Sequence, residues 1–254
     1  MSTQSEKAER FAALHESGTF VMPNPWDAGS AKVLAALGFE ALATTSSGFA
    51  HTLGRQDGEA TLDEVVEHAA ALDAATVLPL SVDLENGYGP EPADAATAIV
   101  RVAGAGAVGG SIEDWDAEEG IYAREPAARR VAAAADAARA CPFPFTLTAR
   151  AENHIRGNPD LDDTIARLQA YEAAGADVLY APGLRTAEEI RVVCESVSKP
   201  VNVLARPDLT LDEIASAGAR RVSVGGALAW VTVRALEDAA RRIAEGDLTA
   251  LRPG

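Results

Sequence analysis

From Phe20 onward, short apolar runs alternate along the chain with longer stretches in which apolar residues return every three or four positions. The short runs, at residues 20–23, 41–45, 77–83, 109–113, 145–150, 178–181, 201–204 and 221–224, have the length and composition of strands. The longer stretches read as amphipathic helices: Leu62, Val65, Val66, Ala69 and Leu72 share one face, as do Leu161, Ile165 and Leu168. Thr61, Thr186 and Thr210 each precede a Glu by three residues. That is the capping-box spacing, in which both side chains satisfy backbone N–H groups left over at a helix start. Gly106, Gly175 and Gly218, each between two alanines ahead of a strand, suit the left-handed cap that ends a helix.

Eight strands separated by helices predict parallel βα units closed into a (β/α)8 TIM barrel. An open doubly wound sheet shares the alternation, but the Gly-rich phosphate loop that often follows its first strand is missing here. No linker interrupts the pattern, and 254 residues is an ordinary length for one barrel. Residues 1–254 are therefore expected to form a single domain, with 1–18 a helical extension ahead of the first strand.

Composition narrows the partners. Apolar residues make up 48% and charged residues 24% of the chain, as in a folded globular protein. With 22 basic and 38 acidic residues the net charge is −16, so nucleic acid and anionic membrane surfaces are poor partners. An anionic substrate needs local positive charge against that background. Two cysteines, Cys141 and Cys194, suggest neither a disulfide framework nor a zinc site. The polar start of the chain and the lack of a long uncharged apolar run make the cytoplasm the expected location.

In a barrel of this kind the chemistry sits at the C-terminal ends of the strands. The third strand runs into Asp83-Leu84-Glu85-Asn86-Gly87-Tyr88-Gly89, the fourth ends in Glu113-Asp114, and the fifth ends in Arg150. Asp83, Glu85 and Glu113 at neighbouring strand ends repel one another unless a cation is bound, and hard oxygen donors without Cys or His suit Mg2+ or Mn2+. The plainer reading is that each acid caps a helix or faces solvent. Arg150 either neutralises these acids internally or grips a substrate carboxylate through two parallel hydrogen bonds, and the roles can coexist. Thr45, Ser46 and Ser47 after the second strand expose hydroxyl and backbone N–H donors, a cradle for a carboxylate or an ordinary turn. His51, His154 and Tyr122 are further proton-transfer candidates, held outside the site.

These motifs together resemble the isocitrate lyase and phosphoenolpyruvate mutase superfamily over nearly the whole chain. The resemblance lies in Thr45-Ser46-Ser47 with Asp57, in Asp83-Leu84-Glu85-Asn86-Gly87-Tyr88-Gly89, in Ile112-Glu113-Asp114 and in Ala149-Arg150. It implies a (β/α)8 barrel that binds Mg2+ partly through waters and handles α-oxo or α-hydroxy acids through an enolate or related oxyanion. By that resemblance Asp83, Glu85 and Glu113 form the metal shell, and Asp57 is an acid near the reacting group. Arg150 is then the substrate clamp, and the backbone near Thr45, Ser46 and Ser47 holds a carboxylate. A homo-oligomer is also expected.

The chain departs from the C–C lyases of this superfamily in the loop after the fourth strand. Those enzymes carry a Lys-Cys-Gly-His stretch there, whereas this chain reads Asp116-Ala117-Glu118-Glu119-Gly120-Ile121-Tyr122-Ala123-Arg124. Isocitrate-type cleavage is accordingly not expected, and the Lys of the phosphomutases is missing too. Decarboxylation of an oxaloacetate-like acid demands least from that loop and is the first expectation, within metal-dependent lyase chemistry that includes C–C cleavage. The alternatives are P–C bond chemistry on a phosphonopyruvate-type substrate, by a mutase or hydrolase, and a non-catalytic oxo-acid binding protein that retains the site.

Overall fold

The computed structural model describes residues 2–251. Its strands are β1 (Phe20–Met22), β2 (Leu42–Ala43), β3 (Leu80–Asp83), β4 (Gly109–Glu113), β5 (Thr146–Arg150), β6 (Val178–Tyr180), β7 (Val201–Leu204) and β8 (Arg221–Ser223). All eight lie in one parallel sheet, each beside its sequence neighbour, with β1 paired to β8. The ring closes between β1 and β2, where the Ala43 amide donates to the Pro23 carbonyl at 3.1 Å. Asn24 straps the same seam, donating to the Thr44 carbonyl and accepting from the Val224 amide. This is the expected (β/α)8 barrel.

Among the described residues ten α-helices accompany the strands: α1 (Gln4–Leu14), α2 (Ala28–Ala36), α3 (Ser46–Thr52), α4 (Leu62–Ala75) and α5 (Pro92–Gly104), then α6 (Arg124–Arg139), α7 (Leu161–Ala173), α8 (Ala187–Ser196), α9 (Leu211–Ser216) and α10 (Ala227–Ala244). The capping boxes at Thr61, Thr186 and Thr210 form as their spacing requires. Gly106, Gly175 and Gly218 take φ of 102°, 104° and 103°, the left-handed conformation that ends α5, α7 and α9. On α4 the buried residues are Val65, His68, Ala69 and Leu72, with Leu62 and Val66 partly buried against the same core.

Helix α1 packs under the N-terminal end of the barrel. Its Phe11 is fully buried with Phe20, Met22, Ala43 and Val108. Gly109 makes room for it, since a Cβ there would stand 2.8 Å from the Phe11 ring. The opposite end of the chain is less covered. Only Ala229 of α10 is buried, and Trp230, Val231, Leu236 and Ile243 are exposed.

Two elements depart from the sequence expectation. β2 is only two residues long, because Thr45 already caps a short helix, its side chain accepting from the Gly48 amide. Between β4 and α6 a hairpin pairs Trp115–Asp116 antiparallel with Gly120–Ile121.

Candidate active site

Register places three of the expected residues side by side. Glu113 stands opposite Arg150, and Asp83 stands opposite Ser111, so the ends of β3, β4 and β5 meet at one side of the barrel mouth. The Arg150 guanidinium lies 2.8 Å from Asp83, 2.9 Å from Glu113 and 2.8 Å from Glu152. Burial opposes its charge, but Glu113, Glu152 and Asp83 outweigh that and hold it well above its ordinary basicity. Burial likewise drives the Glu113 carboxyl well above the usual range, with Arg150 pulling it back.

Glu85 joins from the loop after β3. Its backbone takes φ of 48°, unusual for a non-glycine residue, and Tyr88 follows at 64°. The loop is held from several sides. The Glu113 amide donates to the Glu85 carbonyl at 2.8 Å, and Arg130 donates to the carbonyls of Asn86, Gly89 and Pro90. Gly87, at φ of 89°, lies so close to α5 that a Cβ would stand 2.8 Å from the Ala95 Cα. The loop therefore over-determines a conformation that local preference disfavours. Burial, then the charges of Asp83 and Asp57, push the Glu85 carboxyl up to about 8. Its Oε1 atom is buried without a hydrogen-bond partner.

Across the mouth, Thr45, Ser46 and Ser47 start α3 and line a cavity of about 250 Å³ together with Asp57, Asp83 and Arg150. An adjoining cavity of about 380 Å³ is lined by Glu85, Glu113 and Trp115 and shares Ser46, Asp57, Arg150 and Arg156 with the first. The Ser46 amide points to Asp83 at 3.5 Å. Asp57 sits on an exposed loop, yet protein crowds its carboxyl. That desolvation raises it, a Ser46 hydrogen bond counters, and the Asp83 charge adds to the rise.

Among the described residues, no three His, Cys, Asp or Glu side chains converge closely enough to chelate an ion by themselves. The donors present nonetheless fit a hard cation held partly through water. All are carboxylate oxygens, and the Glu85 Oε1 atom lacks any protein donor.

A family model described as phosphoenolpyruvate phosphomutase matches residues 11–244. The chain belongs to that family. It thereby falls within the isocitrate lyase and phosphoenolpyruvate mutase superfamily, a group of lyases and mutases. A 2-methylisocitrate lyase of Halalkalibacterium halodurans is 32% identical over 210 residues, covering 78% of this chain and 67% of the relative. An oxaloacetate decarboxylase of Paraburkholderia xenovorans is 29% identical over 92% of this chain and 80% of its own length. A crystal structure of a lyase/mutase candidate from Burkholderia cenocepacia superimposes with a TM-score of 0.95 at 53% identity, covering 99% of this chain and 94% of that one.

In this phosphomutase-family chain the hairpin fills the loop between β4 and α6. Asp116 there accepts from the Asn86 side chain at 2.8 Å. Trp115 stacks under the Arg156 guanidinium, 3.4 Å from the ring centre. Arg156 and Glu152 are site residues that sequence reasoning passed over. Glu152, 1% exposed, bridges Arg150 and Arg156. The signal was present: Glu152 follows Arg150 by two residues and precedes Arg156 by four. Arg221, Asn202 and Tyr180 also line the first cavity, and no motif pointed to them. Asp114, adjacent to Glu113, turns away into the helix layer. The three spare candidates stay outside: His154 bonds Thr164, His51 packs against Trp230, and Tyr122 receives a bond from Asn86.

Proposed function

We propose that this family member is a Mg2+- or Mn2+-dependent enzyme acting on a small α-oxo or α-hydroxy carboxylate through an enolate-type intermediate. Decarboxylation or C–C cleavage of an oxaloacetate-type acid is the reaction proposed first. The observation that carries this reading is the acid cluster around Arg150 at the cavity mouth, with the Glu85 carboxyl raised and one of its oxygens unpartnered.

In this reading Asp83, Glu85 and Glu113 hold the cation, partly through waters. When bound, it supplies Lewis-acid stabilisation for the negative charge that develops on the substrate oxygens. Arg150 holds a substrate carboxylate in bidentate geometry, exchanging one of its carboxylate partners for the substrate's. Thr45, Ser46 and Ser47 present the donors of the first turn of α3 to the same group. Asp57, whose carboxyl is raised by desolvation and by the Asp83 charge, is the acid proposed to serve the reacting group. The hairpin after β4 brings no thiol or amine to the cavity, which favours a reaction in which water or Asp57 protonates the product.

The second reading is P–C bond chemistry on a phosphonopyruvate-type acid, favoured by the family model itself. An oxo-acid panel assayed with and without Mg2+ separates the two. Metal-dependent pyruvate release without phosphate supports the first reading. Phosphate release, or a phosphonate rearrangement seen by phosphorus NMR, supports the second. Binding without turnover of any acid would reduce the protein to a binding module.

The partner proposed is therefore a small carboxylate. The exposed apolar side chains of α10 support self-association. No helix among the described residues is long and apolar enough to cross a membrane.

A further inference from the structure

Beneath the acid cluster the barrel lumen holds a cation that none of these roles uses. Arg221, the first residue of β8, is 2% exposed, and its guanidinium crosses the lumen to the Thr148 hydroxyl on β5 at 2.9 Å. It also donates to Asn202 Oδ1 at 2.9 Å and meets His15 Nε2 at 3.3 Å. The His15 Nδ1 atom lies 2.8 Å from the Phe11 carbonyl, which can only accept, so Nδ1 carries the proton and Nε2 the lone pair. Burial, and then the Arg221 charge, push His15 down to about 3, which keeps that ring neutral.

All three partners are thus uncharged, and among the described residues no carboxylate lies within 4.0 Å of the guanidinium. Burial pushes Arg221 down to about 9, which still leaves it cationic at neutral pH. A buried charge without a counter-charge is expensive, and more conspicuous in a chain of net charge −16. Three of its five N–H groups are accounted for by these partners.

Arg221 lines the same cavity as Thr45, Ser46, Asp83 and Arg150. Thr148 precedes Arg150 by two residues on β5, so it lies on the same face and about 6–7 Å further down the strand. The cavity therefore has two guanidinium levels of opposite local balance. The upper one is ringed by Asp83, Glu113 and Glu152, and the lower one has no acid beside it.

We propose that Arg221 is the anion-receiving floor of the cavity, taking the distal carboxylate of a small diacid whose other end is held at the mouth. This rests on the reading that the cavity takes a small carboxylate, and it adds a selection for length. An acid with one carboxylate, or a diacid too short to span the two levels, leaves the floor charge uncompensated.

Calorimetry with oxalate, malonate and succinate at saturating Mg2+, on the wild type, Arg221→Gln and Arg221→Lys, tests the proposal. Arg221→Gln should weaken the longest diacid that the wild type binds by about tenfold or more, and oxalate by less than about threefold. Arg221→Lys should recover part of the longer diacid's loss. A purely structural Arg221 would lower the melting temperature and alter all three affinities alike. Equal losses, no loss, or a wild type that binds oxalate alone overturns the proposal. Should Arg221→Gln fail to fold, wild-type crystals soaked in bromide decide instead. An anomalous peak against the Arg221 guanidinium is expected, and its absence overturns the assignment. Failure of the wild type to bind oxalate would count against the carboxylate site itself, and the bromide result would then decide Arg221 independently.

Discussion

Glu113 and Asp114 are neighbours in sequence, yet they serve opposite sides of the barrel wall. Glu113 meets Arg150 in the lumen at 2.9 Å, while Asp114 meets Arg167 of α7 at 3.0 Å in the helix layer. Asp114 also accepts from the Tyr171 hydroxyl and from the Glu152 amide, the latter at 2.8 Å. The two acids follow from the pleat, because consecutive strand residues point to opposite faces. One therefore belongs to the site, and the other secures the strand end that carries it.

Asp114→Asn is expected to be a stability variant. It leaves Arg167 with Asp163 as its remaining carboxylate, at 2.7 Å, and weakens the buried acceptor used by Tyr171 and the Glu152 amide, a loss expected to cost about 1–3 kcal/mol. Urea unfolding should show that drop, while Mg2+ affinity of the folded variant stays near wild type. A variant as stable as the wild type would remove the anchoring role.

Metal affinity should depend on the acid cluster and on pH. Asp83→Ala is expected to weaken Mg2+ binding measured by calorimetry without unfolding the barrel. Unchanged affinity would sink the assignment. The unfolded chain releases the Glu85 proton near 4.5 and the folded protein holds it to about 8, so the folded state binds more protons across that window. Metal-free stability should fall as pH rises from 4.5 toward 8. Mg2+ affinity should rise over the same range as the ligand ionises, and Glu85→Gln should flatten both slopes.

Arg150→Lys distinguishes a clamp from a counter-ion. Lys retains the charge that balances Asp83, Glu113 and Glu152 but cannot reproduce a planar two-point grip. As a clamp, Arg150 should contribute to oxalate binding by roughly 1.5–3 kcal/mol, lost in Arg150→Lys at saturating Mg2+ with a normal thermal melt. Oxalate affinity that does not move would leave Arg150 a structural counter-ion.

The loop after β4 predicts a negative result. With a Trp115–Ile121 hairpin bearing no Cys, Lys or His, neither isocitrate nor 2-methylisocitrate should yield succinate at an enzymatic rate. Brisk succinate formation from either acid would show that another group performs the carbon acid/base work.

Much of the fold was legible because it rests on local rules. Strand and helix periods, the Thr-to-Glu capping spacing and the Gly106, Gly175 and Gly218 caps are properties of a few adjacent residues, and they specified eight βα units. The strand-end positions of Asp83, Glu113 and Arg150 followed from the same reading, since a barrel gathers those ends at one mouth. Register and distance along the chain decided the rest. Thr45 reads as a strand end, and only the structure shows it capping α3, which shortens the strand. The loop in which Glu85 takes its positive φ is held by Arg130, which bonds the Asn86 carbonyl from far along the chain, and by the close approach of Gly87 to Ala95. Arg221 looks like half of an ordinary basic pair with Arg220, and only closure of the barrel sets it opposite Thr148, 73 residues earlier, with α1 beneath it. Local sequence encodes which elements form and which face each residue takes, whereas the charge environment of a side chain in the lumen depends on all the strands that surround it.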